Sequence, residues 1–255
     1  MQAAVVTRHG GPEVIELQTL PIPQPAAGEV LVAQEIAGVN FIDTHFRAAN
    51  TTFAKRAPPF ISGSEGAGVV TQLGFGVADL REGGRVVYSG FGASADPIAG
   101  SYAAYATPPA ANAVVLPDAV GWEAGCTAMV NGMTAHYLAF DAAPGLRDGE
   151  WALVHAAAGG TGRALVQALH IRGVRVVATV STEEKAAIVR ELGVCEHILL
   201  YGASGGDWPS TVRELTSGGV GAVFDGVGRD TFLRGFECLR IRGAMVMFGE
   251  ASGAK

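Results

Sequence analysis

The segment Trp151–Gly162, with the sequence WALVHAAAGGTG, constrains the fold of this chain most. A short apolar run leads into Ala156-x-x-Gly159-x-x-Gly162, and apolar residues then recur at helical spacing. A strand, a glycine turn and a helix in this order are typical of a corner that holds the phosphates of a dinucleotide. Glycine lets the backbone approach the phosphates, and the helix N-terminus offers free N–H groups. Because Ala156 replaces the usual first glycine, the segment alone is also compatible with an ordinary turn.

The pattern along the chain predicts an α/β protein with two domains. Short strands separated by Gly and Pro turns predict a barrel-like substrate domain over residues 1–120. Alternating strands and helices predict a doubly wound parallel dinucleotide-binding domain over residues 121–255. The predicted strands cover residues 3–7, 30–37, 66–73, 85–88, 102–107, 113–116, 151–155, 175–180, 197–200, 222–225 and 245–248. The predicted helices cover residues 122–130, 133–140, 162–172, 182–192, 209–217 and 229–240.

The alternation of strands and helices stops just past the fifth strand of the predicted parallel sheet, at Lys255. A complete six-stranded dinucleotide fold needs one more strand. We therefore expect that the last strand or strands are missing and that the chain is truncated at its C-terminus.

Composition and charge exclude several classes of protein. The chain has 255 residues, of which 49% are hydrophobic and 16% charged, as expected for a globular protein. A net charge of -6 makes nucleic acid an unlikely partner. The three cysteines form no C-x-x-C pair, which excludes a cysteine-rich zinc site and fits a reducing compartment. Since neither a signal peptide nor a membrane segment is recognisable, we predict a cytoplasmic protein without a membrane partner.

The end of the second strand in the parallel sheet indicates which cofactor is preferred. An acidic residue there would bind the ribose 2′-hydroxyl of NAD, but this strand ends in Ser181-Thr182, with Lys185 one helical turn later. Hydroxyls and an ammonium group suit a 2′-phosphate, so NADPH is favoured. Glu183 and Glu184 complicate this prediction, unless they belong to the first helical turn, where acidic residues are favourable. Lys185 could also be an ordinary solvated lysine.

Several motifs occur in an order that is more specific than the glycine turn. They are Asn40-Phe-Ile-Asp43, Ser62-Gly-Ser-Glu65-Gly-Ala-Gly-Val-Val70, Asn131-Gly-Met-Thr134-Ala, His155-Ala-Ala-Ala-Gly-Gly-Thr-Gly162, Phe224-Asp-Gly-Val-Gly228 and Phe248-Gly249. With these motifs, essentially the whole chain resembles the zinc-independent quinone oxidoreductases, including zeta-crystallin, of the medium-chain dehydrogenase/reductase superfamily. The resemblance implies a GroES-like N-terminal β-barrel domain followed by a Rossmann domain that binds NADPH.

The resemblance also implies roles for individual residues. The residues implied to bind the pyrophosphate are Gly159, Gly160, Thr161 and Gly162. The adenosine 2′-phosphate is surrounded by Ser181, Lys185 and Tyr201, and the cofactor groove is lined by Phe248 and Gly249. In the catalytic set, Asn40 and Thr134 face the nicotinamide and Asp43 orients polar groups.

Some of these residues have an equally simple structural interpretation. Asp43 could be a turn or cap residue, and Asn131 could cap the following helix. Tyr201 could serve packing only, and Asp225 with Gly228 could simply end a strand and open a turn. His45, where some relatives carry Tyr, is either a proton donor or a partly exposed structural histidine.

The resemblance implies an enzyme without a metal. Zinc alcohol dehydrogenases of this superfamily have Cys at the position of Asn40 and His at that of Ser64, and neither Asn nor Ser is a good zinc ligand. The implied activity is reduction of a quinone by hydride from NADPH. The alternatives are an enone or enoyl-thioester reductase and a catalytically inactive, truncated nucleotide- or RNA-binding remnant. The expected partner is a small quinone or enone, and the resemblance implies a homodimer for full-length relatives.

Overall fold

The computed structural model describes residues 1–50, 56–90, 99–201 and 206–253. The chain forms two compact units, Met1–Val130 and Asn131–Lys255. The domain boundary that the sequence predicts, between residues 120 and 121, stays a prediction.

The first unit is built from antiparallel strands in two sheets. Its strands are β1 (Gln2–Val6), β2 (Ile15–Thr19), β3 (Val30–Gly38), β4 (Phe60–Ile61), β5 (Glu65–Leu73), β6 (Arg85–Ser89), β7 (Tyr105–Ala106) and β8 (Ala113–Val115). The sheet orders are β2-β1-β4 and β7-β3-β5-β6-β8. In the larger sheet, apolar side chains from neighbouring strands form one buried cluster that includes Val30, Val32, Val70 and Val86.

The first unit also contains two helices, and a π-helical turn spans its last residues and the first residues of the second unit. They are α1 (Phe41–Ala48), α2 (Trp122–Thr127) and the π-helical turn Ala128–Gly132. The sequence analysis missed α1, although Asp43 at its third position accepts a hydrogen bond from the backbone N–H of Asn40, the N-cap, over 2.9 Å. The cap interpretation of Asp43 is thus confirmed. The predicted helix 122–130 is wrong at its end, because the backbone changes to π-helical geometry after Thr127.

The predicted strand 102–107 divides between the two sheets of the first unit. Only β7 pairs with β3. The preceding residues turn to the smaller sheet, where Ala103 forms a bridge with Ala3 and the carbonyl of Tyr102 accepts the N–H of Ala4 over 2.8 Å. The prediction of one continuous strand was wrong because a period-2 pattern does not show which neighbour the backbone will pair with.

The second unit is a five-stranded parallel sheet with apolar clusters on both faces. Its elements are α3 (Met133–Phe140), β9 (Trp151–Val154), α4 (Gly160–Ile171), β10 (Arg175–Val180), α5 (Glu183–Glu191), β11 (His197–Leu200), α6 (Trp208–Leu215), β12 (Val220–Asp225), α7 (Phe232–Gly235) and β13 (Leu239–Met247). The strand order is β11-β10-β9-β12-β13. One cluster joins the sheet to α3, α4 and α5, and the other joins it to α6. This arrangement confirms the predicted doubly wound fold.

The predicted helix 229–240 is wrong over much of its length. Helix α7 begins only at Phe232 and covers four residues before a 3-10 turn, Phe236–Cys238. Leu239 already pairs with Val220 as the first residue of β13. Because Leu239 packs against the buried cluster of the α6 face, strand pairing overrides the helical pattern there.

Candidate functional site

The glycine turn connects β9 to α4 and leaves the helix N-terminus open. Ala156 adopts a left-handed backbone conformation with φ 52° at the position of the absent first glycine. Gly159 is the N-cap of α4, and within the described residues no side chain caps this helix. A Cβ atom at Gly162 would lie 2.4 Å from the carbonyl oxygen of Ala156. The turn therefore requires glycine at that position and presents free N–H groups to an anion.

Asn131 holds the glycine turn from the side, a contact that the sequence analysis missed. The Thr161 hydroxyl donates a hydrogen bond to Asn131 Oδ1 over 2.8 Å. A Cβ atom at Gly160 would lie 2.8 Å from the same Oδ1 atom, so the carboxamide is packed directly on the first residue of α4. The alternative that Asn131 caps α3 is wrong, because Gly132 is the N-cap of that helix and no described side chain caps it.

Ser181 and Lys185 lie together at the carboxyl end of β10. Lys185 Nζ donates a hydrogen bond to Ser181 Oγ over 2.9 Å, and both groups are accessible to solvent. Thr182 caps α5 by accepting the backbone N–H of Lys185 over 3.3 Å. Glu183 and Glu184 occupy the first helical turn, as the structural interpretation predicted, and Glu183 pairs with Arg190 over 2.5 Å. The end of β10 thus presents one hydroxyl and one ammonium group to solvent.

Tyr201 directly follows β11 and continues its pairing with β10. Its backbone N–H donates to the carbonyl of Val180 over 3.0 Å. The half-buried ring packs against the cluster on the α6 face and lies edge-on to His155, with 6.1 Å between the ring centroids. The packing interpretation of Tyr201 is confirmed, and its role at a 2′-phosphate stays a prediction.

His155 directly follows β9 at the start of the glycine turn, and its side chain is fully buried. Its Nδ1 atom lies 2.7 Å from Thr179 Oγ1, and its ring is edge-on to Trp208 at 5.0 Å. Burial lowers the pKa of His155 to about 4, and the negative charge of Asp225 opposes that shift only in part. The imidazole is therefore neutral at pH 7 and links the ends of β9 and β10.

Asp225 organises the loop that follows β12. Its buried Oδ1 atom accepts the backbone N–H groups of Val227 over 2.7 Å and Gly228 over 3.1 Å. The Thr231 hydroxyl lies 2.9 Å from both carboxylate oxygens. The prediction that Asp225 and Gly228 end a strand and open a turn is confirmed.

Phe248 and Gly249 follow β13 and pack beside this loop. The backbone N–H of Phe248 donates to the carbonyl of Asp225 over 2.9 Å. A Cβ atom at Gly249 would lie 2.8 Å from the carbonyl oxygen of Gly226, so the two backbones approach too closely for a side chain. The structure thus brings both predicted groove residues to the carboxyl end of the parallel sheet, where ligands of such sheets bind.

In the first unit, Asp43 joins three donors into one polar cluster. Its Oδ2 atom accepts the backbone N–H of Asn40 over 2.9 Å and the hydroxyl of Tyr102 over 2.8 Å. Its Oδ1 atom accepts the hydroxyl of Ser64. Burial, followed by the charge of Asp43, raises the pKa of Tyr102, which therefore keeps its proton at neutral pH. The sequence analysis did not identify Tyr102.

Asn40 is fixed by a second carboxylate in the same cluster. Its Nδ2 atom donates to Glu65 Oε1 over 2.7 Å, and Glu65 Oε2 accepts the backbone N–H of Val130 over 2.7 Å. Burial raises the pKa of Glu65 above its usual value, while these two hydrogen bonds act in the opposite direction. The side chains at the two positions compared with zinc ligands, Asn40 and Ser64, are thus both engaged as hydrogen-bond donors.

The other predicted residues occupy simpler surroundings. Thr134 lies in the first turn of α3, in the second unit, and is half-buried. His45 lies in α1 with its Nδ1 atom 2.7 Å from Asn50 Oδ1, a contact that supports its structural interpretation. Among the described residues, no three His, Cys, Asp or Glu side chains are grouped to hold a metal ion. The predicted absence of zinc stays a prediction that rests on residue types.

Both halves of the chain match models of known protein families. Residues 26–118 match the family model "Alcohol dehydrogenase GroES-like domain", and residues 160–255 match "Zinc-binding dehydrogenase". A 2-haloacrylate reductase of a Burkholderia species is 36% identical over 99% of this chain and 74% of its own length.

Two solved structures extend this similarity. A mycobacterial protein complexed with NADPH has 42% identity and a TM-score of 0.89, over 100% of this chain and 75% of that one. Escherichia coli quinone oxidoreductase complexed with NADPH has 33% identity and a TM-score of 0.91, over 100% and 74%.

A GroES-like antiparallel unit followed by a parallel dinucleotide-type sheet with a glycine turn defines a medium-chain dehydrogenase/reductase. Within that superfamily, the chain belongs to the quinone oxidoreductase family, and it is an oxidoreductase. It spans about three quarters of the length of the relatives described above. In the part of the chain that the structure describes, none of the helices is long and apolar enough to cross a bilayer.

Proposed function

We propose that this protein is an NADPH-dependent reductase that transfers hydride to a quinone without zinc. The observation that carries the choice of cofactor is the Ser181–Lys185 pair at the end of β10, beside the strand whose end forms the glycine turn. A hydroxyl and an ammonium group at this position complement a 2′-phosphate. Membership in the quinone oxidoreductase family supports the class of substrate.

The residues present fit this cofactor. The open N-terminus of α4 and the closely packed backbone at Gly162 form a cradle that a Cβ atom would fill. We assign the pyrophosphate to Gly159, Gly160, Thr161 and Gly162, the 2′-phosphate to Ser181, Lys185 and Tyr201, and the groove wall to Phe248 and Gly249. When bound, NADPH supplies a hydride from C4 of its dihydronicotinamide ring.

We assign the reacting end of the cofactor to Asn40, Asp43 and Thr134. Glu65 and Asp43 fix Asn40 from two sides, which supports an orienting role for its carboxamide. The hydroxyls of Ser64 and Tyr102 both donate to Asp43, so this cluster holds two protons on neutral oxygens. Reduction of an electrophilic quinone needs a positioned hydride and a proton source rather than a strong Lewis acid.

Two measurements on the purified chain test the proposal. The first is a fluorescence titration with NADPH and, in parallel, NADH. The second is the quinone-dependent loss of NADPH absorbance, with and without a chelator. We expect tighter binding of NADPH than of NADH and an activity that the chelator leaves unchanged. Failure to bind either cofactor would support the inactive or RNA-binding alternative, and stoichiometric zinc in the active protein would overturn the metal-free mechanism.

Reduction of an activated alkene is the second candidate function. It is favoured by the similarity to a 2-haloacrylate reductase, at 36% identity over 99% of this chain. The same hydride donor would attack a carbon–carbon double bond conjugated to a carbonyl group. Comparing kcat/KM for a benzoquinone and for 2-chloroacrylate distinguishes the two candidates, because the higher value identifies the preferred substrate class.

We further propose that the protein acts in the cytoplasm on a small molecule. Cys126, Cys195 and Cys238 are all free thiols, which supports a reducing compartment. Sedimentation velocity of the purified chain tests whether it forms the homodimer expected of its full-length relatives.

A further inference from the structure

We infer that Tyr102 is a positioning residue, which holds the Asp43 carboxylate and thereby fixes the start of α1 at Asn40 for hydride transfer. This inference rests on the proposed function, because Asn40 and Asp43 are assigned there to the reacting end of the cofactor. It adds a residue that acts through Asp43 and that changes turnover rather than cofactor binding.

The backbone of Tyr102 is held from two sides. Its carbonyl accepts the N–H of Ala4 in β1 over 2.8 Å, and its own N–H donates to the carbonyl of Ser62 over 2.9 Å. Ser62 directly follows β4, the other strand that pairs with β1. The side chain of Tyr102 therefore starts from a fixed point of the smaller sheet.

The ring of Tyr102 lies directly against the backbone of Gly63. A Cβ atom at Gly63 would lie 2.3 Å from Cδ1 and 2.6 Å from Cε1 of this ring. Gly63 also has φ 93°, a backbone conformation that favours glycine. The ring thus occupies the space of the absent side chain, and the turn before Ser64 is built around it.

The hydroxyl of Tyr102 reaches the carboxylate that joins this turn to α1. It donates to Asp43 Oδ2 over 2.8 Å, and the same oxygen accepts the backbone N–H of Asn40, the N-cap of α1, over 2.9 Å. The other oxygen, Oδ1, accepts the hydroxyl of Ser64. Because Asp43 is buried, these donors determine how its carboxylate is oriented. Tyr102 therefore touches both parts that Asp43 connects, the turn with its ring and α1 with its hydroxyl.

The surroundings of the phenol favour orientation over proton transfer. Burial is the largest cause of the raised pKa of Tyr102, followed by the negative charges of Asp43 and Glu65, while Arg47 acts in the opposite direction. The phenol therefore keeps its proton at neutral pH and remains a hydrogen-bond donor. A group that holds its proton so firmly is a poor general acid, but it is a constant partner for a carboxylate.

This arrangement predicts a loss of turnover without a loss of cofactor affinity. Tyr102→Phe keeps the ring against Gly63 and leaves Asp43 with the donors Asn40 and Ser64, so we expect the variant to fold. The carboxylate loses one of its fixed partners, and we expect kcat to fall by about 10- to 100-fold through misplacement of Asn40. The Kd of NADPH should stay within about 2-fold of wild type, because the residues assigned to its phosphates all belong to the second unit.

The experiment combines steady-state reduction of a benzoquinone by NADPH with fluorescence titration of NADPH. It compares wild type, Tyr102→Phe, Asp43→Asn and the double variant Tyr102→Phe/Asp43→Asn. If Tyr102 acts through Asp43, the double variant should have the same kcat as Asp43→Asn alone. Tyr102→4-aminophenylalanine places an N–H donor where the hydroxyl is, and it should restore kcat to within about 3-fold of wild type.

Tyr88→Phe is the matched control for the loss of a tyrosine hydroxyl. Tyr88 lies in β6 of the same unit, and its hydroxyl also donates to a side-chain oxygen, Gln34 Oε1, over 2.6 Å. Gln34 is not among the residues assigned to the site. We expect this variant to have a lower melting temperature and a kcat within about 2-fold of wild type.

The outcomes separate the inference from the proposed function. If wild type with NADPH reduces neither benzoquinone nor 2-chloroacrylate, the proposed function fails and the inference with it. If wild type is active and Tyr102→Phe keeps its kcat, even at a lower melting temperature, the hydroxyl is only structural and the inference alone is overturned. A lower kcat in the double variant than in Asp43→Asn would overturn it as well, since Tyr102 would then act independently of Asp43.

A further variant at the same position covers a failure to fold. Should circular dichroism show that Tyr102→Phe is unfolded, Tyr102→4-fluorophenylalanine takes its place, because fluorine fills the position of the hydroxyl but cannot donate a hydrogen bond. The inference requires a lower kcat in this variant than in Tyr102→4-aminophenylalanine. Equal kcat values in the two would overturn it.

Discussion

Lys185 Nζ donates a hydrogen bond to Ser181 Oγ over 2.9 Å, across the junction between β10 and α5. None of the ion pairs among the described residues involves Lys185, although Glu183 and Glu184 precede it. The ammonium group is therefore held at the strand end by a neutral partner. It keeps its full charge for an anionic ligand.

Lys185→Glu should weaken NADPH binding by about 100-fold and NADH binding by less than about 3-fold, because only NADPH carries the 2′-phosphate. Parallel fluorescence titrations measure both values. Arg190→Gln is the matched control, since Arg190 is a cation of the same helix that pairs with Glu183. Equal loss of both cofactors in Lys185→Glu would contradict the assigned role.

Ala156→Gly should stabilise the protein by about 0.5–1 kcal/mol. A Cβ atom is strained in the left-handed backbone conformation of Ala156, with φ 52°. Relief of this strain outweighs the entropy cost of the greater freedom that glycine gives the unfolded chain. Ala164→Gly, inside α4, should have the opposite sign and destabilise by about 1 kcal/mol. Urea unfolding of both variants checks the contrast, and a destabilised Ala156→Gly would contradict it.

Stability should fall between pH 6.5 and about pH 4 through His155. Its pKa is about 4 in the folded protein and near 6.5 when unfolded, so only the unfolded chain binds the proton in this window. The free energy of unfolding therefore decreases as the pH falls, by about 3 kcal/mol over the whole window. This stability is fully present above pH 6.5.

Urea unfolding at pH 7 and pH 4.5 measures this effect. His155→Asn keeps a nitrogen at the position that contacts Thr179 and should reduce the pH-dependent loss. His170→Asn changes a histidine exposed on α4 and should leave the loss as in wild type. An identical pH dependence in wild type and His155→Asn would exclude His155 as its source.

Asp225→Asn should destabilise the second unit by about 3 kcal/mol. The amide removes the buried charge that strengthens the hydrogen bonds from the N–H groups of Val227 and Gly228, and it places an NH₂ donor where a carboxylate oxygen accepts the Thr231 hydroxyl. Asp230→Asn, at an exposed neighbour, should change the stability by less than about 0.5 kcal/mol. Chemical denaturation compares the two variants. Similar values for both would refute the organising role of Asp225.

The parallel sheet could be predicted from the sequence because its strands are short apolar runs between clear helical patterns. In β12, for example, all six residues are buried, and the helix predicted to follow the glycine turn from residue 162 begins at Gly160. The pairing of Ser181 with Lys185 was also visible, since it depends on a local spacing of one helical turn.

Contacts between residues distant in sequence could not be predicted. The bond between Asn131 and Thr161 spans 30 residues and requires a π-helical turn, which has no recognisable pattern. Tyr102 reaches Asp43 across 59 residues, because residues 102–104 leave one sheet for the other. Helix α1 was missed because it has only eight residues, about two turns, and so short a segment shows no clear helical periodicity.

Ala103 forms a bridge with β1 of the smaller sheet, and β7, two residues later, pairs with β3 of the larger sheet. This short segment therefore connects both sheets of the first unit through backbone hydrogen bonds. Neither sheet can open there without breaking backbone hydrogen bonds of the other. Amide hydrogens in β1 and in β3 should therefore show the same free energy of opening in hydrogen exchange, set by cooperative unfolding of the whole unit. Amide hydrogens of the three-stranded sheet should thus be protected from exchange as strongly as those of the five-stranded sheet.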